Sequence, residues 1–216
     1  MLTASSAGDR ALPGIDISHF QQAIDWTAII SSGISYCYIK ATEGAWCQDA
    51  GFARHWRDTS GLGLARGAYH FLQPKDPVTK QVEFFLRATG TPQTGDLPPA
   101  LDLEREEIWK PVPMAERAPL AVGWLEAVEK ETGVTPMVYV SPAFMRDTFQ
   151  NSALLGQYPV WVAHYTAAPA PAVPKPWESW TFWQYTNLGT AAGIHGFVDR
   201  NWFNGTAEQL NELRRP

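Results

Sequence analysis

Pro98-Pro99-Ala100-Leu101-Asp102-Leu103-Glu104 reads as a short buried strand that ends in two carboxylates. Successive side chains of a strand point to opposite faces, so Asp102 and Glu104 share one face and Leu103 points to the other. Their Cα atoms lie roughly 6.5–7 Å apart in such a strand. Two carboxyl groups that close repel when both are ionised, which pushes one pKa up. A protonated acid beside an ionised carboxylate is what cleavage of a glycosidic bond requires. Acidic pairs are also common on protein surfaces, so the meaning of this pair depends on the rest of the chain.

Outward from this strand, short apolar runs alternate with helix-like segments. Residues 12–17, 35–41, 65–71, 100–104 and 135–141 read as five strands. Helices follow over residues 25–32, capped by Asp25, and over 49–60, closed by Gly61 and Gly63. Others span 77–89, with Pro77 in the first turn and Gly90 past the end, then 114–132, stopped by Gly133, and 142–150. Beyond them, residues 159–163, 180–185 and 196–199 read as strands without full helices between them, and 167–176 form a Pro/Ala-rich linker. A last helix is expected over 206–213. Alternating units of this kind imply an α/β fold with a parallel sheet, and eight strands can close a barrel. We expect an N-terminal extension at residues 1–11 and a single catalytic barrel domain at 12–216.

Composition removes several function classes. The chain has 216 residues and a net charge of −5 with no basic block, so it lacks the electrostatic footprint of a nucleic-acid binder. No apolar run is long enough to span a membrane. Residues 1–10 are small and polar, without the apolar core of a signal peptide, so the chain reads as a mature fragment, a cytoplasmic product or a protein exported by another route. Cys37 and Cys47 are the two cysteines, and spacing alone does not establish a bond between them. No Cys/His cluster of zinc type occurs, so neither metal nor cofactor is expected. Ten tryptophans are present. Most should build the core, and a surplus in loops would suit stacking on sugar rings.

In barrels of this kind the active site lies at the C-terminal ends of the strands, and the polar residues fall there. Asp16, Ser18 and His19 end the first strand, and Lys40, Thr42 and Glu43 the second. Tyr69 and His70 end the third, Asp102 and Glu104 the fourth, and Tyr139 and Ser141 the fifth. His164 and Tyr165 follow the sixth, Gln184 and Tyr185 end the seventh, and Asp199 ends the eighth.

Taken in order, Gly14-Ile15-Asp16-Ile17-Ser18, Tyr38-Ile39-Lys40-Ala41-Thr42-Glu43-Gly44, Gly67-Ala68-Tyr69-His70-Phe71, Leu101-Asp102-Leu103-Glu104, Val138-Tyr139-Val140, Trp161-Val162-Ala163-His164-Tyr165, Trp183-Gln184-Tyr185 and Val198-Asp199 resemble the family 25 glycoside hydrolases, the Chalaropsis-type lysozymes. The resemblance implies an irregular TIM-like barrel, five β/α units followed by three strands with few helices. It also implies hydrolysis of the β-1,4 bond between N-acetylmuramic acid and N-acetylglucosamine in bacterial peptidoglycan, outside the cytoplasm, by a monomer. A delivery, secretion or immunity partner would accompany some such roles.

The resemblance assigns Glu104 as general acid, and Asp102 as nucleophile or as stabiliser of the substrate's 2-acetamido group. Asp16 and Asp199 match the family's two further acids, expected to stabilise positive charge on the sugar ring. Tyr139, Tyr69, Trp161, Tyr165 and Gln184 are expected to wall the sugar site; Lys40 and His70 are weaker candidates, Lys40 reading first as the partner of a neighbouring acid and His70 equally as a neutral histidine satisfied in the barrel floor. The competing reading is a catalytically inactive barrel that binds peptidoglycan, against which the intact Asp102/Glu104 pair argues. A chitinase barrel is disfavoured because residues 95–104 lack an Asp-x-x-Asp-x-Asp-x-Glu run.

Overall fold

The computed structural model describes residues 11–214. The strand around Asp102 is β5 (Ala100–Leu103), all four residues of which are buried. It lies parallel between β4 (Ala65–Phe71) and β6 (Met137–Val140), with Asp102 level with Phe71 on one side and Tyr139 on the other. The sheet continues through β7 (Val160–Ala163), β8 (Phe182–Gly189), β9 (Val198–Asn204), β1 (Ala11–Ile17) and β2 (Tyr36–Glu43). Because β2 pairs with both β1 and β4, these eight strands close into a barrel. A two-residue strand, β3 (Cys47–Gln48), folds back on the end of β2.

Seven barrel strands run parallel, but β9 is antiparallel to both β8 and β1. This corrects the expected last strand. It spans 198–204 rather than 196–199, and Asp199 lies near its beginning. With no helix between β8 and β9, the chain turns straight back. The start of β9 therefore reaches the same rim as the C-terminal ends of the other seven.

The helices are α1 (Trp26–Ser31), α2 (Phe52–Asp58), α3 (Val78–Thr89), α4 (Glu106–Trp109), α5 (Met114–Thr132), α6 (Pro142–Phe149) and α7 (Ala207–Leu213). Asp25 caps α1 by accepting from the Ala28 N–H at 3.0 Å. Gly133 ends α5 at φ 69°, in the left-handed region open to glycine. The single turn α4 was not expected from the sequence. Of the expected N-terminal extension, Ala11 opens β1 opposite Asn204, and residues 1–10 lie outside the described residues. Cys37 and Cys47 are both free thiols.

Strand alternation divides the barrel into two apolar regions. Outward side chains such as Ile39, Leu101, Leu103, Val138 and Val162 pack against the helices. Inward ones, notably Tyr36, Tyr38, Met137, Trp161, Phe182 and Phe203, fill the barrel itself. Two glycines make room for the tyrosine rings. A Cβ on Gly14 would lie 2.2 Å from Tyr36 Cζ, and one on Gly67 would lie 2.3 Å from Tyr38 Cε1. The Tyr38 hydroxyl, sealed inside, donates to the Pro98 carbonyl at 3.1 Å. The open rim thus stands on a plug of aromatic rings, a floor that disfavours charge.

Candidate active site

At the rim above this plug is a cleft of about 230 Å³. Asp16, Asp102, Glu104 and Asp199 converge on it from β1, β5 and β9, together with Tyr69, Tyr139, Trp161, Tyr165 and Gln184. All four acids and all five sugar-wall residues expected from the sequence therefore meet in one place. Asn187, from the end of β8, was not anticipated.

Asp102 is 6% exposed, and its Oδ1 has no hydrogen-bond partner. Burial, and next the charge of Glu104, push its carboxyl well above the usual range, with Lys40 opposing. Glu104 lies one residue beyond β5 and is more exposed. The next residue, Arg105, takes a left-handed backbone at φ 62° as the chain turns into α4. Desolvation in the cleft raises the Glu104 pKa, Lys40 and Arg105 lower it, and Asp16 and Glu43 raise it further. The sequence reading had Asp102 raising Glu104. In the structure the larger upward push falls on Asp102, because it is the deeper of the two. Both are displaced upward, and neither is a relaxed surface acid.

Asp16 and Asp199 face each other across the β1–β9 ladder. Asp16 Oδ2 accepts from Asn201 Nδ2 at 2.7 Å and from Gln184 Nε2 at 3.0 Å. Burial raises the Asp16 pKa, and these bonds, with one to Asp199, hold it back. Asp199 lacks such donors. Burial, then the charge of Asp16 and the bond between them, push it up to about 9. Asp199 is accordingly the member of the pair that keeps the proton and donates toward Asp16.

Gln184 and Asn201 organise this side of the cleft. Gln184 Oε1 accepts from the hydroxyls of Tyr139 at 2.8 Å and Tyr165 at 2.7 Å. Asn201 Oδ1 accepts from Trp161 Nε1 at 2.8 Å. Asn201, fully buried, escaped the sequence reading because the last strand was ended at Asp199. Had that strand been continued, i,i+2 alternation would have put Asn201 on the face of Asp199.

Two expected substrate contacts lie elsewhere. His70 is fully buried, with Nδ1 2.8 Å from Thr42 Oγ1 and Nε2 3.0 Å from Gln81 Oε1, and it stacks on Trp124 at 5.3 Å. Burial lowers its pKa to about 4, so it is a neutral residue of the outer core. Lys40 Nζ lies 2.8 Å from Glu43 Oε2 and 5.0 Å from the centre of the Phe71 ring. It acts on the catalytic pair through its charge rather than by lining the cleft. Trp161, at 1% exposure, is cleft floor more than wall. Of the ten tryptophans only Trp46, at 67%, is exposed; Trp177 and Trp180 also lie in loops but are buried, so they offer no face for a sugar to stack on.

Among the described residues, no group of three or more His, Cys, Asp or Glu is arranged to hold a metal ion, and no helix is long and apolar enough to cross a membrane. The family model described as "Glycosyl hydrolases family 25" matches residues 15–194. The chain is 36% identical to "Uncharacterized protein YegX" of Escherichia coli K12 over 202 residues, covering 91% of this chain and 71% of that one. It is 34% identical to "Lysozyme M1" of Streptomyces globisporus over 219 residues, covering 98% and 74%. In structure it is similar to the bacterial lysozyme from Streptomyces coelicolor, with a TM-score of 0.90 at 32% identity, covering 94% of this chain and 96% of that one.

Proposed function

Since the chain belongs to glycosyl hydrolases family 25, we propose that its four cleft acids divide the work of cutting the glycan of peptidoglycan. The protein is a peptidoglycan hydrolase of the lysozyme type, a muramidase. The bond cut is the β-1,4 link from N-acetylmuramic acid to N-acetylglucosamine. One observation carries the division of roles: Asp102 and Glu104 line one cleft, Asp102 buried with an unpartnered Oδ1 and Glu104 at the more open side.

Glu104, at the open side, gives its proton to the glycosidic oxygen as the bond from that oxygen to C1 breaks. The carbonyl oxygen of the 2-acetamido group attacks C1 and forms an oxazolinium ring. Asp102 accepts from the amide N–H with its unpartnered Oδ1, which orients the group and balances its growing charge. Water then adds to C1 as Glu104 takes back a proton, and the ring reopens. Substrate assistance of this kind is an alternative to direct attack by the second carboxylate. Asp16 supplies negative charge beneath the ring, held in place by Asn201, Gln184 and the neutral Asp199. The enzyme acts on the wall outside the cytoplasm, as a monomer.

Mass spectrometry of fragments released from purified peptidoglycan tests this reading. New reducing ends should carry muramic acid, and ends carrying N-acetylglucosamine would overturn the bond assignment. Glu104→Gln should fold normally and lose about 10²–10⁴-fold in turnover.

A further inference from the structure

A second depression, about 680 Å³, opens directly from the catalytic cleft. Glu104, Tyr139 and Tyr165 line both. One side of the groove is the turn from β6 into α6, including Ser141, Phe144 and Arg146, and the other is the stretch after β7, including His164 and Ala172. Arg105 also lines it. Its volume suits a ligand well beyond a single polar group.

The electrostatics of the two spaces are opposed. The cleft is lined by four carboxyl groups and no cation. In the groove, Glu104 at the junction is the one acid, and Arg105 and Arg146 bring guanidiniums in a chain of net charge −5. Both guanidiniums are held by neighbours, Arg105 by Glu107 at 2.8 Å and Arg146 by Asp147 at 2.7 Å. All four of these side chains are at least half exposed, so such pairs hold weakly and exchange readily for a ligand carboxylate. Arg146 engages Asp147 through Nε and Nη2, which leaves Nη1 free to donate. His164 Nδ1 accepts from the Ala172 N–H at 3.0 Å, which puts the proton of the neutral ring on Nε2 as a further donor. Phe144, Pro142 and the alanines supply apolar wall between these donors.

An acidic group carried on a sugar would be repelled by the cleft and attracted by the groove beside it. In peptidoglycan, that group is the short peptide on the lactyl ether of muramic acid, which bears free carboxylates. We propose that the groove binds this acidic stem peptide, so that the enzyme reads the peptide substituent as well as the sugar. The proposal rests on the muramidase reading.

The test uses two substrates from one preparation: glycan strands with their stem peptides, and the same strands stripped by an amidase that cuts the lactyl–peptide bond. The readout is kcat/KM for new reducing ends. The intact protein should prefer the stem-bearing strands by roughly twentyfold, the product of two exposed ion pairs. Arg146→Gln should lower that preference by about fivefold and Arg146→Lys by less. Adding Arg105→Asn, which tolerates the left-handed backbone, should bring the preference near unity. Equal rates of the intact protein on both substrates would overturn the proposal. So would an Arg146→Gln variant that slows both substrates by the same factor, because the groove would then hold the sugar backbone. Cleavage of neither substrate would instead overturn the muramidase reading beneath it.

Discussion

Asp199→Asn should stabilise the protein, and increasingly so as the pH rises. An unfolded chain gives this carboxyl a pKa of 3.8, and the fold pushes it up to about 9. Between those values the native state keeps a proton that the unfolded state has released, so stability falls as pH rises through the window. A fully displaced group contributes a slope of about 1.4 kcal/mol per pH unit. Asp199 is only partly buried and its titration is shared with Asp16, so roughly half that slope is the reasonable expectation. From pH 5 to pH 8 the wild type should then lose about 2 kcal/mol relative to the Asp199→Asn variant, whose amide keeps a donor toward Asp16 and carries no charge. In a chain of this size that is a gap in Tm widening by roughly 4–8 °C. Urea unfolding of both proteins at pH 5, 6, 7 and 8 measures it. A stability difference independent of pH, or one that shrinks toward pH 8, would refute the view that Asp199 is a neutral donor to Asp16.

Asp102→Asn should retain more activity than Glu104→Gln if the acetamido group attacks, since the nucleophile survives; a 2-fluoro sugar with a good leaving group that leaves a mass adduct on Asp102 would show direct attack instead. Lys40→Met removes the cation that lowers both catalytic pKa values, so both limbs of the kcat/KM profile should move to higher pH; an unmoved profile would mean its charge is neutralised by Glu43. Gly67→Ala drives a methyl into the Tyr38 ring and should lower stability by about 1–3 kcal/mol in urea unfolding, with an unchanged midpoint arguing against a rigid aromatic plug.

The strand ends were readable because polar residues interrupt apolar runs at one rim, and the four acids do line one cleft there, although Asp199 opens its strand rather than ending it. Strand direction was not readable. Period-two alternation looks the same in either sense, and only the hairpin from β8 reveals that β9 runs backwards. Asn201 was lost with that error, though Trp161 could not have satisfied its buried N–H without it. His70 shows the opposite failure. Its neighbour Tyr69 faces the cleft, so alternation alone sends His70 outward, against Trp124. The turn at Arg105, which lifts Glu104 toward solvent, depends on a left-handed backbone at a residue that does not advertise one.

The reversal of β9 also leaves the barrel with one connection of a different kind. Crossovers between parallel strands must travel the full height of the fold and are constrained by the helices they carry. Residues 190–197 join β8 to β9 without leaving the rim, tied down where the Asp25 N–H meets the Gly193 carbonyl at 2.9 Å and Gln21 Nε2 meets the Phe197 carbonyl at 3.1 Å. Doubling the length of such a loop costs only about 0.6 kcal/mol in closure entropy. Insertions there would reshape the edge beside Asn187 and Asp199 while every other strand kept its register. That makes this hairpin the place where a designer, or natural drift, could change what the enzyme accepts without first having to rebuild how it folds.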